Sequence, residues 1–170
     1  MTEIEIRDAR REDAAALTEL LNAIIARGGT TALEDPYTAE RFADAYIDGP
    51  DVHCCFVAVD PATGRLEGYQ SVGRNTELTP DIGDVGTFAR LGGTQRGVGS
   101  ALFAATRVRA AALGLAAINA TIRADNAGGL AFYAKQGFED HSVTPAVPLK
   151  SGALVDRVNK RFVLRGADER

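Results

Sequence analysis

Apolar and polar positions alternate with two different periods along this chain, and these periods separate predicted strands from predicted helices. Residues 4–7 alternate one by one, which predicts a strand, whereas the apolar residues of 11–26 recur every three or four positions, which predicts a helix. Clusters of glycine and proline mark the boundaries between such segments. The N-terminal half is predicted to contain a strand at 4–7, helices at 11–26 and 38–47, a loop at 30–37, and strands at 53–60, 66–74 and 84–90.

The C-terminal half continues with two helices, a strand between them, and two final strands. Its predicted elements are helices at 98–113 and 126–136 and strands at 115–123, 139–147 and 155–164, of which we expect the last two to pair. We expect Ala101, Leu102, Ala105, Val108 and Ala112 to form one buried stripe on the helix at 98–113. The order of elements predicts the α/β class, with one mixed sheet covered by helices on both faces.

Composition and charge exclude several classes of protein. The 170 residues fit a single domain at 1–165, followed by a tail at 166–170 that we expect to be mobile. A formal charge of −4 argues against a general nucleic-acid surface, and no run approaches the ~20 apolar residues of a membrane span. The N-terminus lacks the apolar core of a signal peptide.

The two cysteines, Cys54 and Cys55, are adjacent in the chain. Neighbouring residues of a strand point to opposite faces, so we expect two buried thiols rather than a disulfide, in a cytoplasmic protein. His53 beside them does not complete the set of about four ligands that zinc needs, and no metal site is predicted.

A glycine-rich turn, Thr94-Gln95-Arg96-Gly97-Val98-Gly99-Ser100, precedes the helix at 98–113. A P-loop would need a lysine after its second glycine, and a dinucleotide fingerprint would need Gly or Ala where Leu102 stands. The pyrophosphate turn of coenzyme A acyltransferases, Q/R-x-x-G-x-G/A, matches except at Thr94. Main-chain N–H groups at a helix start bind anions, and Arg96 would add a charged contact. The alternative is a turn that only joins a strand to a helix.

A second polar motif lies about thirty residues later. Asn126 stands where the helix at 126–136 begins, and Tyr133 lies two turns further along the same face. Asn126 could cap the helix or bind a cofactor, and Tyr133 could be a core aromatic residue or a catalytic one. We expect Leu130, Phe132 and Ala134 to belong to the core, whereas close approach of either a ligand or a neighbouring strand could explain the pair Gly128-Gly129.

The two motifs together, at 85–138, resemble the GNAT superfamily of acetyl-CoA-dependent N-acyltransferases. Ile6-Arg7-Asp8-Ala9, Leu21-Asn22 and the acidic loop from Thr30 to Pro36 resemble the phosphinothricin acetyltransferase-like branch. The resemblance implies a mostly antiparallel sheet of about seven strands in one acyltransferase domain. It also implies acetyl-CoA as the cosubstrate, no metal, and a homodimer joined through the C-terminal strands.

The resemblance also implies roles for individual residues. Main-chain groups of Thr87, Phe88 and Ala89 would meet the pantetheine arm, and Tyr133 would protonate the leaving thiolate. Asp84 is the first candidate for the base, and Glu34 is the second, or would bind the positive charge of the amine. The remaining residues expected to hold the cofactor are Gln95, Arg96, Gly97, Val98, Gly99, Ser100 and Asn126.

These roles predict direct attack of a small primary amine, such as an amino acid or an analogue, in a ternary complex. Two alternatives stay open. The acceptor could be a protein N-terminus or a lysine, or the chain could be a regulatory module that binds acyl-CoA without catalysis.

Overall fold

A seven-stranded mixed sheet forms the centre of the protein. The computed structural model describes residues 3–93 and 96–165. In spatial order β1-β2-β3-β4-β5-β7-β6, neighbouring strands pair in antiparallel fashion except for the parallel pair β4–β5. The strands are β1 (Glu5–Asp8), β2 (Val52–Val59), β3 (Leu66–Arg74), β4 (Ile82–Ala89), β5 (Ala117–Arg123), β6 (Glu139–Pro148) and β7 (Leu154–Val163).

Helices cover both faces of this sheet, as the sequence predicted. One face carries α1 (Ala14–Arg27) and α2 (Ala39–Phe42), and the other carries α3 (Val98–Ala112) and α4 (Ala127–Gln136). Each face buries its own apolar core because successive strand residues point to opposite sides. Cys54 belongs to the α3–α4 core and Cys55 to the α1–α2 core, and both are buried free thiols, which confirms that prediction.

The helix predicted at 38–47 is divided into two parts. After α2 the chain continues as a π-helical turn at Ala43–Ile47, in which the Asp48 N–H donates to the Ala43 carbonyl. Gly49 follows this turn because a Cβ there would lie 1.8 Å from the Asp44 carbonyl oxygen. π-Helical turns often lie at functional sites, and this one directs Ala45 and Tyr46 towards the cavity described below.

The predicted stripe on α3 is confirmed for Leu102, which is buried, and Ala105 packs against the core, but its C-terminal half was wrong. Val108 is 68% exposed and Ala112 is also exposed. The buried face is rotated by about one residue because the bulky side chains set the orientation of the helix, whereas alanine tolerates either environment. The buried residues of α3 are Val98, Leu102, Phe103, Thr106 and Ala110.

The parallel pair β4–β5 separates along its length. Its ladder joins residues 82–85 of β4 to residues 117–120 of β5 and then ends. Pairing of β3 with β4 continues to Ala89, and pairing of β5 with β7 continues to Arg123. A gap therefore opens between the C-terminal halves of two central strands.

The predicted pairing of the last two strands is confirmed by the β6–β7 register.

Candidate active site

A cavity of about 630 Å³ occupies the gap between β4 and β5. Its walls come from both faces of the sheet, so it passes through the sheet rather than lying on one side. The loop after α1 and the π-helical turn line it on one face, and the start of α4 lines it on the other. Lining residues include Thr30, Thr31, Ala32, Leu33, Ala45, Tyr46, Arg74, Asp84, Thr87, Phe88, Ala89, Arg123, Asn126, Gly128, Gly129 and Tyr133.

Main-chain groups of β4 face this gap at alternate residues. The Arg90 N–H donates to the Glu67 carbonyl of the neighbouring β3 segment, and the Ala116 N–H donates to the Asp81 carbonyl on the opposite side. Because the direction of main-chain groups alternates along a strand, those of Thr87 and Ala89 point into the gap. The same alternation turns the groups of Phe88 towards β3, where its ring also stacks on Tyr69 at 5.1 Å.

Tyr133 is a buried phenol at the edge of the gap. Its hydroxyl lies 2.9 Å from Thr87 Oγ1. Burial raises the pKa of Tyr133 to about 12, the hydrogen bond with Thr87 lowers it in part, and the nearby negative charge of Asp84 raises it further. Tyr133 therefore keeps its proton at neutral pH and has one to donate.

Asp84 is the third residue of β4, and its carboxylate is held by two amides. Oδ1 accepts a hydrogen bond from Asn119 Nδ2 at 3.0 Å, and Oδ2 accepts one from Asn75 Nδ2 at 3.2 Å. Asn119 is itself fixed, because its Oδ1 accepts from Arg161 Nε at 2.8 Å. Sequence reasoning missed both asparagines. The available signal for Asn119 was a polar residue inside an otherwise apolar strand.

The glycine turn leads from β4 into α3. Gly97 is the N-cap of α3 with φ +75°, and among the described residues, its own chain neighbours aside, no heavy atom lies within 4 Å of the position that a Cβ would occupy. The side chain of Arg96 is exposed, whereas that of Val98 is buried in the core. The first N–H groups of α3 have no acceptor within the helix, which leaves an anion-binding helix start. Thr94 and the predicted contact Gln95 lie outside the described residues.

Two residues of this turn also join α3 to α4. A Cβ on Gly99 would lie 2.5 Å from the Phe132 ring, so glycine is required there for close packing of the helices. Ser100 Oγ accepts a hydrogen bond from Gln136 Nε2 at 2.8 Å. None of residues 96–100 lines the cavity itself.

Asn126 and Arg123 attach the loop after α1 to the cavity wall. The Asn126 side chain caps α4 by accepting from the Gly129 N–H at 3.0 Å, and its Nδ2 donates to the Thr30 carbonyl at 3.3 Å. Arg123 donates to the Thr31 carbonyl and forms a two-pronged ion pair with Asp125. Sequence reasoning did not single out Arg123, whose signal was a charge at the end of an apolar strand.

Glu34 lies apart from Asp84 and Tyr133. It lines a separate cavity of about 290 Å³, and its carboxylate accepts from the Lys150 N–H at 3.1 and 3.2 Å. Lys150 Nζ pairs with Asp35, so the loop after α1 is attached to the β6–β7 hairpin. Asn22 fixes the other end of this loop through two hydrogen bonds to the main chain of Tyr37, which explains the asparagine near the end of α1.

The packing around the start of α4 explains one of the two glycines in the pair Gly128-Gly129. A Cβ on Gly129 would lie 2.5 Å from Asn126 Nδ2 and 3.1 Å from Ile122 Cγ2, so the cap and β5 require glycine. Gly128 has open space and lines the cavity.

The prediction that Ala134 belongs to the core was wrong, because it faces solvent on the side of α4 away from the sheet. Leu130 and Phe132 are half-buried against the core.

Neither a metal cluster nor a membrane-spanning helix is found among residues 3–93 and 96–165. No three side chains of histidine, cysteine, aspartate or glutamate are grouped to hold a metal ion there. No helix in the same ranges has the length and apolar character needed to cross a membrane.

Comparison with known proteins relates this fold to solved acetyltransferases. No protein-family profile matches the chain, and no curated protein matches it by sequence. The structure of yncA from Salmonella typhimurium, solved with its cofactor acetyl-CoA, superposes with a TM-score of 0.83 at 20% identity. It covers 99% of this chain and 98% of its own.

Two further solved structures are similar. A GNAT superfamily phosphinothricin acetyltransferase from Sinorhizobium meliloti, in complex with AcCoA, has a TM-score of 0.82 at 24% identity over 100% of this chain and 93% of its own. The ribosomal-protein-alanine N-acetyltransferase from Brucella melitensis has a TM-score of 0.78 at 23% identity over 94% of this chain and 99% of its own. The chain therefore has the fold of the GNAT N-acetyltransferases.

Proposed function

We propose that this protein is an acetyl-CoA-dependent N-acetyltransferase that transfers an acetyl group to the primary amine of a small molecule. One observation carries the proposal: a through-sheet cavity between β4 and β5 brings together main-chain groups beyond the end of the β4–β5 pairing, a protonated phenol and a fixed carboxylate. This cavity lies in a fold whose solved examples include proteins in complex with acetyl-CoA.

The α3–α4 side of the cavity would receive the cofactor. Arg96 and the main-chain N–H groups from Gly97 to Ser100, together with Gln95, would hold the pyrophosphate at the start of α3. The open space around Gly97 admits a diphosphate close to the main chain. Thr87 and Ala89 would bind the pantetheine arm through their main-chain groups. Asn126 would shape this side of the cavity through its cap of α4.

The residues in the gap divide the reaction between them. When bound, acetyl-CoA supplies an acetyl thioester. Asp84, directly or through a water molecule, would take a proton from the ammonium group of the acceptor, which frees the nitrogen lone pair for attack. A main-chain N–H of Thr87 or Ala89 would stabilise the negative charge on the carbonyl oxygen. As the nitrogen–carbon bond forms and the carbon–sulfur bond breaks, Tyr133 would give its proton to the sulfur, and the second proton that the nitrogen loses in becoming an amide would restore the proton of Tyr133.

The opposite side of the cavity would receive the acceptor. The side chain of Asp84 points to this side, in register with Gly73 of β3 and on the same face as Phe88. The loop at residues 30–33 forms a wall on this side, held in place because Arg123 and Asn126 bind its carbonyl groups. A wall fixed in this way favours a small amine such as an amino acid or an analogue, within the phosphinothricin acetyltransferase-like branch. A protein acceptor, as named for the Brucella enzyme, would need this loop to move.

Exposed strands at the edge of the sheet support a homodimer. Nearly every residue of β6 is exposed, and Val143 and Leu154 of the β6–β7 hairpin are 56% and 65% exposed. Pairing of this hairpin with a second copy would cover these apolar side chains. The free buried thiols favour a reducing compartment such as the cytoplasm.

Two measurements test the proposal in sequence. Acetyl-CoA at about a hundred times its Kd should stabilise the protein by ~2.7 kcal/mol, which is a rise in Tm of roughly 5–10 °C. Thiol release should then appear with at least one amine of an amino-acid panel. A protein that is not stabilised by millimolar acetyl-CoA would contradict the proposal, and stabilisation without turnover on any amine would favour a regulatory module.

A matched pair of carboxylate variants tests the assignment of the base. Asp84→Asn should lower kcat/KM by roughly 100-fold or more, as expected for loss of a general base. Glu34→Gln should stay close to the parent protein because Glu34 lies in the separate cavity. A large loss in Glu34→Gln together with an active Asp84→Asn would reverse the assignment.

A further inference from the structure

A fully buried glutamine lies behind the candidate acid. Gln70 of β3 is 0% exposed and stands directly opposite Thr87 of β4 in the sheet register. Its Nε2 donates to Thr87 Oγ1 at 2.8 Å, and Thr87 Oγ1 lies 2.9 Å from the Tyr133 hydroxyl. Three side chains from two strands and one helix therefore form a short hydrogen-bonded chain that ends at the cavity.

The number of available hydrogen atoms fixes which group donates in each of these hydrogen bonds. A threonine hydroxyl has one hydrogen to donate and two lone pairs to accept with. Gln70 Nε2 already donates to Thr87, so the hydrogen of Thr87 needs a different acceptor. Within the part of the chain that the structure describes, the Tyr133 oxygen is the acceptor in reach. Thr87 then donates to Tyr133, and the phenol hydrogen of Tyr133 is left to point away from Thr87, towards the cavity.

We propose that Gln70, acting through Thr87, is a positioning residue that directs the proton of Tyr133 towards the leaving sulfur. The inference rests on the proposed acetyltransferase function. With the opposite direction, Tyr133 would donate to Thr87, and its proton would be occupied when the thiolate forms.

A second observation indicates that this position is not a simple packing site. Gln70 Oε1 is buried and has no hydrogen-bond partner among residues 3–93 and 96–165. A buried acceptor without a partner destabilises the fold, and an apolar residue there would avoid that cost. The presence of glutamine is explained if its donor is required, because only the Nε2 group fixes the direction of the Thr87 hydroxyl.

A double-mutant cycle on the Thr87 side chain tests these hydrogen bonds. Substitution of Thr87 leaves its main-chain groups in place. Thr87→Val keeps the shape but removes the hydroxyl. We expect it to lower kcat by roughly 10-fold, a part of the 10²–10⁴-fold that general acid catalysis contributes, with the KM for acetyl-CoA within about twofold. Thr87→Ser should restore most of the lost kcat.

The Tyr133→Phe background separates positioning from packing. There the phenol proton is absent, so Thr87→Val should cause no further loss of kcat. An additive loss in both backgrounds would show a structural role and overturn the inference. Unchanged kcat in Thr87→Val on the parent background would overturn it as well.

The identity of residue 70 is tested by Gln70→Glu. Burial favours the protonated form of a carboxyl group, which can still donate, but an ionised glutamate only accepts, so the hydrogen bonds should reverse at a pH high enough to ionise it. We expect a loss of kcat close to that of Tyr133→Phe and no further loss in the Gln70→Glu/Tyr133→Phe double variant. If this variant does not fold, the double-mutant cycle on Thr87 still tests the positioning role of Gln70. A reduced kcat in Tyr133→Phe supports the proposed function separately, so an active Thr87→Val would then overturn only the role of Gln70. A parent protein without turnover would overturn both.

Discussion

Gly97 and Gly64 have almost the same backbone conformation but lie in different surroundings. Their φ angles are +75° and +76°, and in both cases the part of the structure that is described places no heavy atom other than those of chain neighbours within 4 Å of the position of a Cβ. Gly97 caps the start of α3, whereas Gly64 lies in the turn between β2 and β3. The two positions therefore share the energetic cost of a side chain at positive φ and differ in what lies beside them.

This pair provides a controlled test of the pyrophosphate site. Gly97→Glu should abolish binding of acetyl-CoA because it places a carboxylate where the diphosphate would lie, and Gly64→Glu should leave binding unchanged. Each should lower stability by ~1–2 kcal/mol, the cost of a left-handed residue with a Cβ. Isothermal titration gives the affinity and denaturant unfolding gives the stability. Normal affinity in Gly97→Glu would refute the assignment of this turn.

The contact between α3 and α4 holds Tyr133 in place. Gly99 of α3 fits against the Phe132 ring of α4, and the next residue of α4, Tyr133, reaches Thr87 on the sheet. Tyr133 also packs edge-on against Phe132 and Phe138, with ring centroids 5.0 Å apart in both pairs. A change in the separation of these helices would therefore be transmitted directly to the phenol.

Alanine at two helical glycines should have opposite effects. Gly99→Ala should lower the free energy of unfolding by ~1–3 kcal/mol because the new methyl group overlaps the Phe132 ring. Gly128→Ala should raise it by up to ~1 kcal/mol, since that position of α4 is open and alanine favours a helix. Urea unfolding measures both. Equal stability of the two variants would show that α3 and α4 do not pack as described.

The whole molecule contains several buried groups that resist ionisation. Burial raises the pKa of Cys54 to about 11 and that of Cys55 and Tyr133 to about 12, from ordinary values of 9.0 for the thiols and 10.0 for the phenol. The folded protein therefore holds protons that the unfolded chain releases above about pH 9. Their contribution to stability is complete below pH 9 and is lost as the pH rises towards 12.

We expect an alkaline loss of stability with a recognisable origin. Between pH 9 and pH 11 the free energy of unfolding should fall by up to ~1.4 kcal/mol per pH unit for each such group. Cys55→Ala should start from a lower stability but show a shallower decline, because one of these groups is gone. Urea unfolding at a series of pH values measures the slope. Parallel slopes for the parent and the variant would contradict the assignment.

Local patterns in the sequence predicted most elements because each depends on neighbouring residues. Strand β3 at residues 66–74 follows the turn at residues 61–64, which contains proline and glycine, and α4 follows the cap at Asn126 and the left-handed Gly137, whose φ is +104°. The glycine turn and Tyr133 were identified from the same kind of local signal. The buried face of α3 was not predicted, because several alanines leave the helical pattern without a strong apolar side.

The order of residues along the chain predicted the strands, the helices and the glycine turn, since periodicity, capping and glycine conformation act over a few residues, and the resemblance of its motifs supplied the candidate acid. It could not show where β4 and β5 separate, nor that Asn75 and Asn119 clamp Asp84, nor that Glu34 lies in a different cavity. It also left Gln70 unnoticed, although Gln70 and Thr87 stand opposite each other. These relations join residues 9 to 116 positions apart. They exist only after strand pairing has fixed the register between distant segments, because hydrogen bonds between side chains require positions accurate to a fraction of an ångström.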